Sequence, residues 1–180
     1  MHLTFKNFIL TSLDERKKIL EWRNSERVRQ YMIDQSVIAE NDHLVWVKKL
    51  TERNDLAYYL VYDDQEPIGV IDFTAIDRQT KEAQWGFYLK QNSRPGFGVI
   101  GFCALEHYFE SWRFHKLNSL VSSINAGSLN WHRRMLFKNA GREKNFNALV
   151  LTEEAWREGK DAMKDEFFIK YKPERVEWLN

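Results

Sequence analysis

With 180 residues, 43% of them hydrophobic and 29% charged, the chain can fill one core and hydrate its surface, which excludes a disordered polymer and predicts a single domain over 1–180. Its 27 Lys+Arg against 26 Asp+Glu leave a formal charge of +1, so no whole-chain field draws it to nucleic acid or to anionic lipid. The single cysteine, Cys103, excludes an internal disulfide and a cysteine-based metal site and suits a reducing compartment.

Cys103 sits among Phe102, Ala104 and Leu105 and reads as a buried structural thiol rather than a nucleophile. The apolar runs are far shorter than the roughly 20 residues that cross a bilayer. Residues 1–6 lack the apolar stretch of about 7–15 residues that marks a signal peptide, so a cytoplasmic protein with no membrane partner is expected.

Taken in chain order, residues 1–10 alternate as a first strand, and Ser12 with Glu15 forms a capping box that opens a helix ending near Arg23. Helical stretches follow at about 25–32 and 41–52, the latter placing His43, Trp46, Val47 and Leu50 on one side. Residues 57–62 and 68–76, joined by a polar turn, read as an antiparallel hairpin, and 84–89 as a third strand. After the turn at 91–98, Phe102, Leu105, Phe109 and Trp112 recur at helical spacing. Residues 117–124 read as a strand, Asn125 as the cap of a helix running to about Lys138, and 142–151 and 166–171 as two further strands. The resulting class is α/β (α+β): a central, mostly antiparallel mixed sheet with helices on both faces.

The turn at 94–98 is the first chemical clue. Glycines there let backbone amides at a helix start approach an anion such as a pyrophosphate. A plain turn is the alternative, because the stretch is neither a Walker loop, which ends Gly-Lys-Ser/Thr, nor a dinucleotide-binding fingerprint.

A wider pattern adds to this. Gln84-Trp85-Gly86-Phe87-Tyr88-Leu89, Ser93-Arg94-Pro95-Gly96-Phe97-Gly98 and Asn125-Ala126-Gly127-Ser128-Leu129-Asn130-Trp131-His132 resemble, in order and spacing, the fourth strand, pyrophosphate loop and following Asn-x-x-Ser/Ala segment of the GNAT superfamily of N-acetyltransferases. That resemblance implies acetyl-CoA as co-substrate and no metal. Arg94, Gly96, Phe97, Gly98 and Val99 would hold the CoA pyrophosphate by backbone amides, and Phe87, Tyr88 and Leu89 the pantetheine as an added strand. Asn125 and Ser128 would lie beside the cofactor. His132 stands where many members carry a tyrosine that protonates the leaving thiolate; at an ordinary pKa of about 6.5, roughly a quarter of it would be cationic at pH 7. A surface bystander is the plain alternative for His132. Glu82, at the head of the fourth strand, is the candidate general base, beside deprotonation through water or binding of an already neutral amine. The chain departs from the family at Ser93, where Gln or Arg is usual, and at Leu136-Phe137, where Gly-Phe is usual.

Within the superfamily, Glu21-Trp22-Arg23-Asn24, Tyr31-Met32, and His43 with Trp46 resemble the branch that acetylates the 4-amino group of a UDP-linked amino-dideoxy sugar in pseudaminic acid biosynthesis. The resemblance implies Arg23 and His43 facing the nucleotide phosphates, with Tyr31, Met32 and Trp46 walling the sugar or base. Two readings compete with it. Branches that acetylate ribosomal-protein N-termini share a Trp-Arg-Asn type segment, and a non-catalytic RNA-binding module would use Arg133, Arg134, Lys138 and Arg142 with Trp131 and Phe137 between them. An exposed sheet edge or the aromatic Trp178-Leu179 could pair two copies as a homodimer.

Overall fold

The computed structural model describes residues 1–91 and 97–180. In chain order the strands are β1 (His2–Asn7), β2 (Ala57–Asp63), β3 (Glu66–Asp77), β4 (Glu82–Leu89), β5 (Lys116–Ser122), β6 (Lys138–Glu143), β7 (Phe146–Thr152) and β8 (Arg175–Leu179). The helices are α1 (Leu13–Asn24), α2 (Glu26–Arg29), α3 (Glu40–Lys49), α4 (Phe97–Glu106, running on as a π turn over His107–Ser111), α5 (Ala126–Arg134) and α6 (Glu153–Phe168). The strands form one sheet in the order β6-β7-β5-β4-β3-β2-β1-β8, antiparallel except at β4–β5 and β1–β8.

Local chemistry explains most of these elements. Ser12 accepts from the Glu15 amide while the Glu15 carboxylate accepts from the Ser12 amide, so the expected capping box opens α1. Asn125 caps α5 by accepting from the Ser128 amide. Strand alternation then sends side chains to two different cores. One face packs Phe73, Trp85, Leu117 and Leu149 against α4, α5 and α6; the other packs Leu60 and Val70 against Ile19 of α1 and Val47 of α3.

Three expectations fail in the second half. Residues 142–151 are not one strand but parts of the β6–β7 hairpin, and α5 stops at Arg134, leaving Lys138 in β6. Residues 166–171, whose aromatic and β-branched content reads as a strand, instead form the last residues of α6, up to Phe168, and the turn after it; Trp156 and Met163 of that helix are buried on one side and Thr152 caps its start. Trp178 pairs within the chain: β8 runs parallel to β1, and the indole lies between Phe5, at 4.0 Å, and His107, at 3.8 Å. Cys103 is buried in the α4 core, which pushes its thiol up to about 12 and removes it as a nucleophile. Among the described residues no helix is long and apolar enough to cross a membrane.

Candidate active site

β4 and β5 pair in parallel only from Glu82↔Lys116 to Trp85↔Ser119, although β4 continues to Leu89 and β5 to Ser122. Past that point the strands part, and the β4 backbone from Gly86 onward has no β5 partner on that side. A cavity of about 610 Å³ occupies the opening and passes through the sheet, so its walls come from both faces.

On the α4/α5 side the walls include Phe87, Asn125, Ser128 and His132. His132 is buried at 1% exposure rather than on the surface, ringed by Trp85, Trp131 and Phe137. Burial pushes it down to about 4, so the imidazole is neutral and only about one molecule in a thousand is cationic at pH 7, not a quarter. Its Nδ1 lies 2.8 Å from the Ser128 carbonyl, an acceptor only, which fixes the proton on Nδ1. The bare Nε2 therefore accepts from the Ser119 hydroxyl at 3.0 Å, and Ser119 also lines the cavity.

Of the other expected cofactor contacts, Tyr88 lines the cavity, whereas Leu89 does not, and its carbonyl accepts from the Arg27 guanidinium. Phe97 stacks on Phe87 at 3.5 Å, which makes it a support for the wall. Gly98 meets α6 instead: a Cβ there would come 2.3 Å from the Phe167 ring. Val99 is buried in the core and is not on the cavity wall. Arg94 and Gly96 lie outside the described residues.

On the α1/α3 side the cavity brings together Arg23, Tyr31, Met32, His43 and Trp46. The 31–38 loop that carries two of them is held by side chains from α1 and α2. Arg23 Nη2 donates to the Asp34 carbonyl at 2.8 Å, Arg29 Nη1 donates to the Gln35 carbonyl at 2.7 Å, and Asn24 clamps both backbone groups of Ile38 at 2.9 Å. Arg23 Nη1 stays buried without a partner, as does His43 Nε2. His43 is 5% exposed, its ring bonds the Arg16 carbonyl, and burial lowers its pKa. It is a neutral acceptor, so Arg23 supplies charge to this wall and His43 does not.

The family model for the acetyltransferase (GNAT) domain matches residues 7–138. The chain belongs to the GNAT family of acetyltransferases. It is 28% identical over 151 residues to the acetyltransferase PseH of Campylobacter jejuni subsp. jejuni serotype O:23/36 (strain 81-176), a match that covers 84% of this chain and 94% of that one. The crystal structure of Campylobacter jejuni N-acetyltransferase PseH in complex with acetyl coenzyme A aligns with a TM-score of 0.69 at 27% identity, over 83% of this chain and 98% of that one. Spermidine N-acetyltransferase from Vibrio cholerae, in complex with CoA and spermine, shares the fold at a TM-score of 0.76 and 14% identity, over 86% and 98% of the two chains.

GNAT membership makes the protein an acetyl-CoA-dependent N-acetyltransferase, and the parted strands suit that co-substrate. The amide-bearing pantetheine arm can pair with the free edge of β4 as a strand would. Among the described residues no group of His, Cys, Asp and Glu could hold a metal ion. The GNAT cavity does not include Glu82. That residue sits at the closed end of β4, where it pairs with Lys116 at 2.7 Å across the intact part of the β4–β5 seam.

A carboxylate that does reach this GNAT cavity is Asp72, on the α1/α3 face of β3. It lies opposite Tyr58 on β2 and Gly86 on β4. A Cβ at position 86 would stand 3.0 Å from Asp72 Oδ2, so the glycine leaves the carboxyl its room. Burial pushes Asp72 up to about 7. The sequence does carry a signal for it, a lone acid in the apolar run Gly69-Val70-Ile71-Asp72-Phe73, facing a mid-strand glycine.

Proposed function

We propose that this enzyme transfers the acetyl group of acetyl-CoA to the 4-amino group of a UDP-linked amino-dideoxy sugar, as in pseudaminic acid biosynthesis, by direct attack of the amine on the thioester. The observation that carries the reading is the roof of the acceptor half: the 31–38 loop, clamped by Arg23, Asn24 and Arg29, covers a compartment walled by Tyr31, Met32 and Trp46. Such a compartment suits a compact acceptor with an apolar ring face better than an extended peptide. Arg23 Nη1, buried and unpartnered, gives one pyrophosphate a guanidinium donor. His43 Nε2, as an acceptor, suits a sugar hydroxyl or a base N–H rather than a phosphate. The likeness to PseH, which extends over most of both chains, supports the same branch.

Acetyl-CoA supplies an activated acyl carbon and a thiolate leaving group. The β4 edge from Gly86 to Tyr88 orients the pantetheine, and Asn125 and Ser128 border it at the start of α5. The neutral His132 holds the Ser119 hydroxyl, and rotation of that hydroxyl offers sulfur a hydrogen bond as the C–S bond breaks. An ordinary thiol pKa of about 8.5 means that this leaving group does not need a full imidazolium acid. The RNA-binding alternative loses its stacking platforms, since Phe137 is buried, Trp131 packs into the aromatic core and Arg134 pairs with Glu166.

The test is CoA thiol release from acetyl-CoA with a UDP-4-amino-sugar in one assay and a ribosomal-protein N-terminal peptide in another. Release with the sugar nucleotide alone is the expected result. Release with the peptide alone would overturn the acceptor while leaving the fold and donor intact.

A further inference from the structure

Two faces of the sheet meet at the point where β4 and β5 part. The acceptor compartment lies on the α1/α3 face and the pantetheine edge on the other, so the amine must meet the thioester near Gly86, the first β4 residue without a β5 partner. Asp72 is paired in register with that residue, on the acceptor face. Its carboxylate takes part in no ion pair among the described residues, in contrast to Glu82, which is held by Lys116. The groups around it are the Tyr58 hydroxyl from β2 and the Tyr88 hydroxyl from β4, and the Arg23 guanidinium from α1 acts on those two tyrosines. Asp34, Asp42 and His43 share the compartment beyond them, and His132 faces it from the other side of the sheet.

We infer that Asp72 is the group that receives the proton of the acceptor's ammonium, as general base of the acyl transfer, and that Gly86 is there to leave it space. The inference rests on the acyl-transfer reading of this cavity. As the carboxylate accepts one N–H proton, the nitrogen lone pair forms the C–N bond and the C–S bond breaks. The second N–H proton ends on sulfur, giving the amide and CoA thiol, and Asp72 returns its proton to water. An acid held near 7 by burial is poised for this exchange at neutral pH, being about half ionised there.

Asp72→Asn keeps the shape and removes the proton acceptor. At pH 7 its kcat/KM for the acceptor should fall roughly 10²- to 10⁴-fold, with the Kd for acetyl-CoA unchanged. The acid limb of the wild-type pH profile near pH 7 should vanish, while a limb owned by the acceptor's own amine would persist in both proteins. Asp72→Ser should regain rate when formate is added, which a merely structural role would not allow. The assay uses whichever amine the wild-type protein acetylates, so an inactive sugar nucleotide counts against the acceptor reading and not against Asp72. An Asp72→Asn variant within about threefold of wild type, with the same pH profile, would overturn the proposal, as would Asp72→Ser that binds acetyl-CoA normally but gains nothing from formate.

Discussion

On the α4/α6 face, Trp85 is surrounded by Phe73, Phe87, Phe97, Trp131 and Phe137 at ring separations of 5.5 to 6.4 Å, and the one titratable ring among them, His132, has both nitrogens engaged. On the α1/α3 face, a smaller core around Val47 and Val70 borders a compartment where Arg23 Nη1 and His43 Nε2 are buried without partners and Asp72 has no cation beside it. A wall of interlocked aromatic rings holds one geometry, although the Trp85 and Trp131 indole N–H groups are buried without partners in it; the unpartnered guanidinium and imidazole nitrogens of the other compartment carry a desolvation cost that a ligand can relieve. The contrast teaches that the half proposed for the donor is built for rigidity and the half proposed for the acceptor for recognition, with the parted strands between them.

The strongest way to break this contrast is Trp85→Ala. Removing a fully enclosed indole costs about 3–5 kcal/mol, and its neighbours include both Phe87 and His132, so urea unfolding should shift to a much lower midpoint and acetyl-CoA binding should weaken. A loss below about 1 kcal/mol would mean that the wall can collapse around the hole and is not the rigid half.

His132→Phe preserves the ring packing and deletes the acceptor that holds Ser119. A hydrogen bond to a charged group is worth about 1.5–3 kcal/mol, so kcat should drop roughly 10- to 100-fold while the acetyl-CoA Kd stays near wild type. Because the native imidazole is neutral, kcat should show no limb from His132 between pH 6 and 8. Unchanged turnover would remove the hydroxyl relay from the mechanism.

Asp72→Asn sharpens the contrast through stability. The native carboxyl titrates near 7 against an ordinary 3.8, so between those values the folded state binds more protons than the unfolded chain, and stability falls as pH rises through that window. Removing the charge should therefore stabilise the protein by roughly 1–3 kcal/mol at pH 8, with the gain shrinking toward pH 4, as read by thermal unfolding across pH. A destabilised variant at pH 8 would show that the carboxylate is compensated in the native state.

The parts of the molecule that were legible in its sequence are those where local chemistry decides. The Ser12–Glu15 box, the Asn125 cap and the hairpin at β2–β3 form because neighbouring residues satisfy one another. α6 was hidden because its buried face is sparse, Trp156 and Met163 two turns apart, and its aromatic end mimics a strand. β8 was hidden because its pairing with β1 joins the two ends of the chain. The residues proposed for the acceptor, Arg23, Tyr31, Met32, His43 and Trp46, follow from family resemblance, yet charge does not: only the packing around His43 and His132 reveals that both are neutral. Glu82 looked suitable by its place at a strand head, but which end of β4 opens is set by where β5 stops pairing, a long-range fact. Asp72 is passed over in the sequence, where an acid in an apolar strand is its only signal, and the register opposite Gly86 is what gives it the proposed purpose.

The smallest expected effect tests the loop that roofs the acceptor half. Asn24 makes two hydrogen bonds to Ile38, donating from Nδ2 to the carbonyl and accepting at Oδ1 from the amide, and so fixes the 31–38 loop at the point where it enters α3. Each such bond contributes about 1 kcal/mol net, and the loop's own apolar residues Ile33 and Val37 are exposed, so little core packing resists its release. In Asn24→Ala the loop should sample open positions, and the acceptor then binds only the closed fraction. The acceptor KM should rise roughly 5- to 10-fold by that population argument, while kcat, acetyl-CoA affinity and the urea midpoint change little. A rise in the acetyl-CoA Kd of the same size would mean that the two halves are coupled through the sheet, and the division between a rigid donor wall and an adaptable acceptor roof would fall with it.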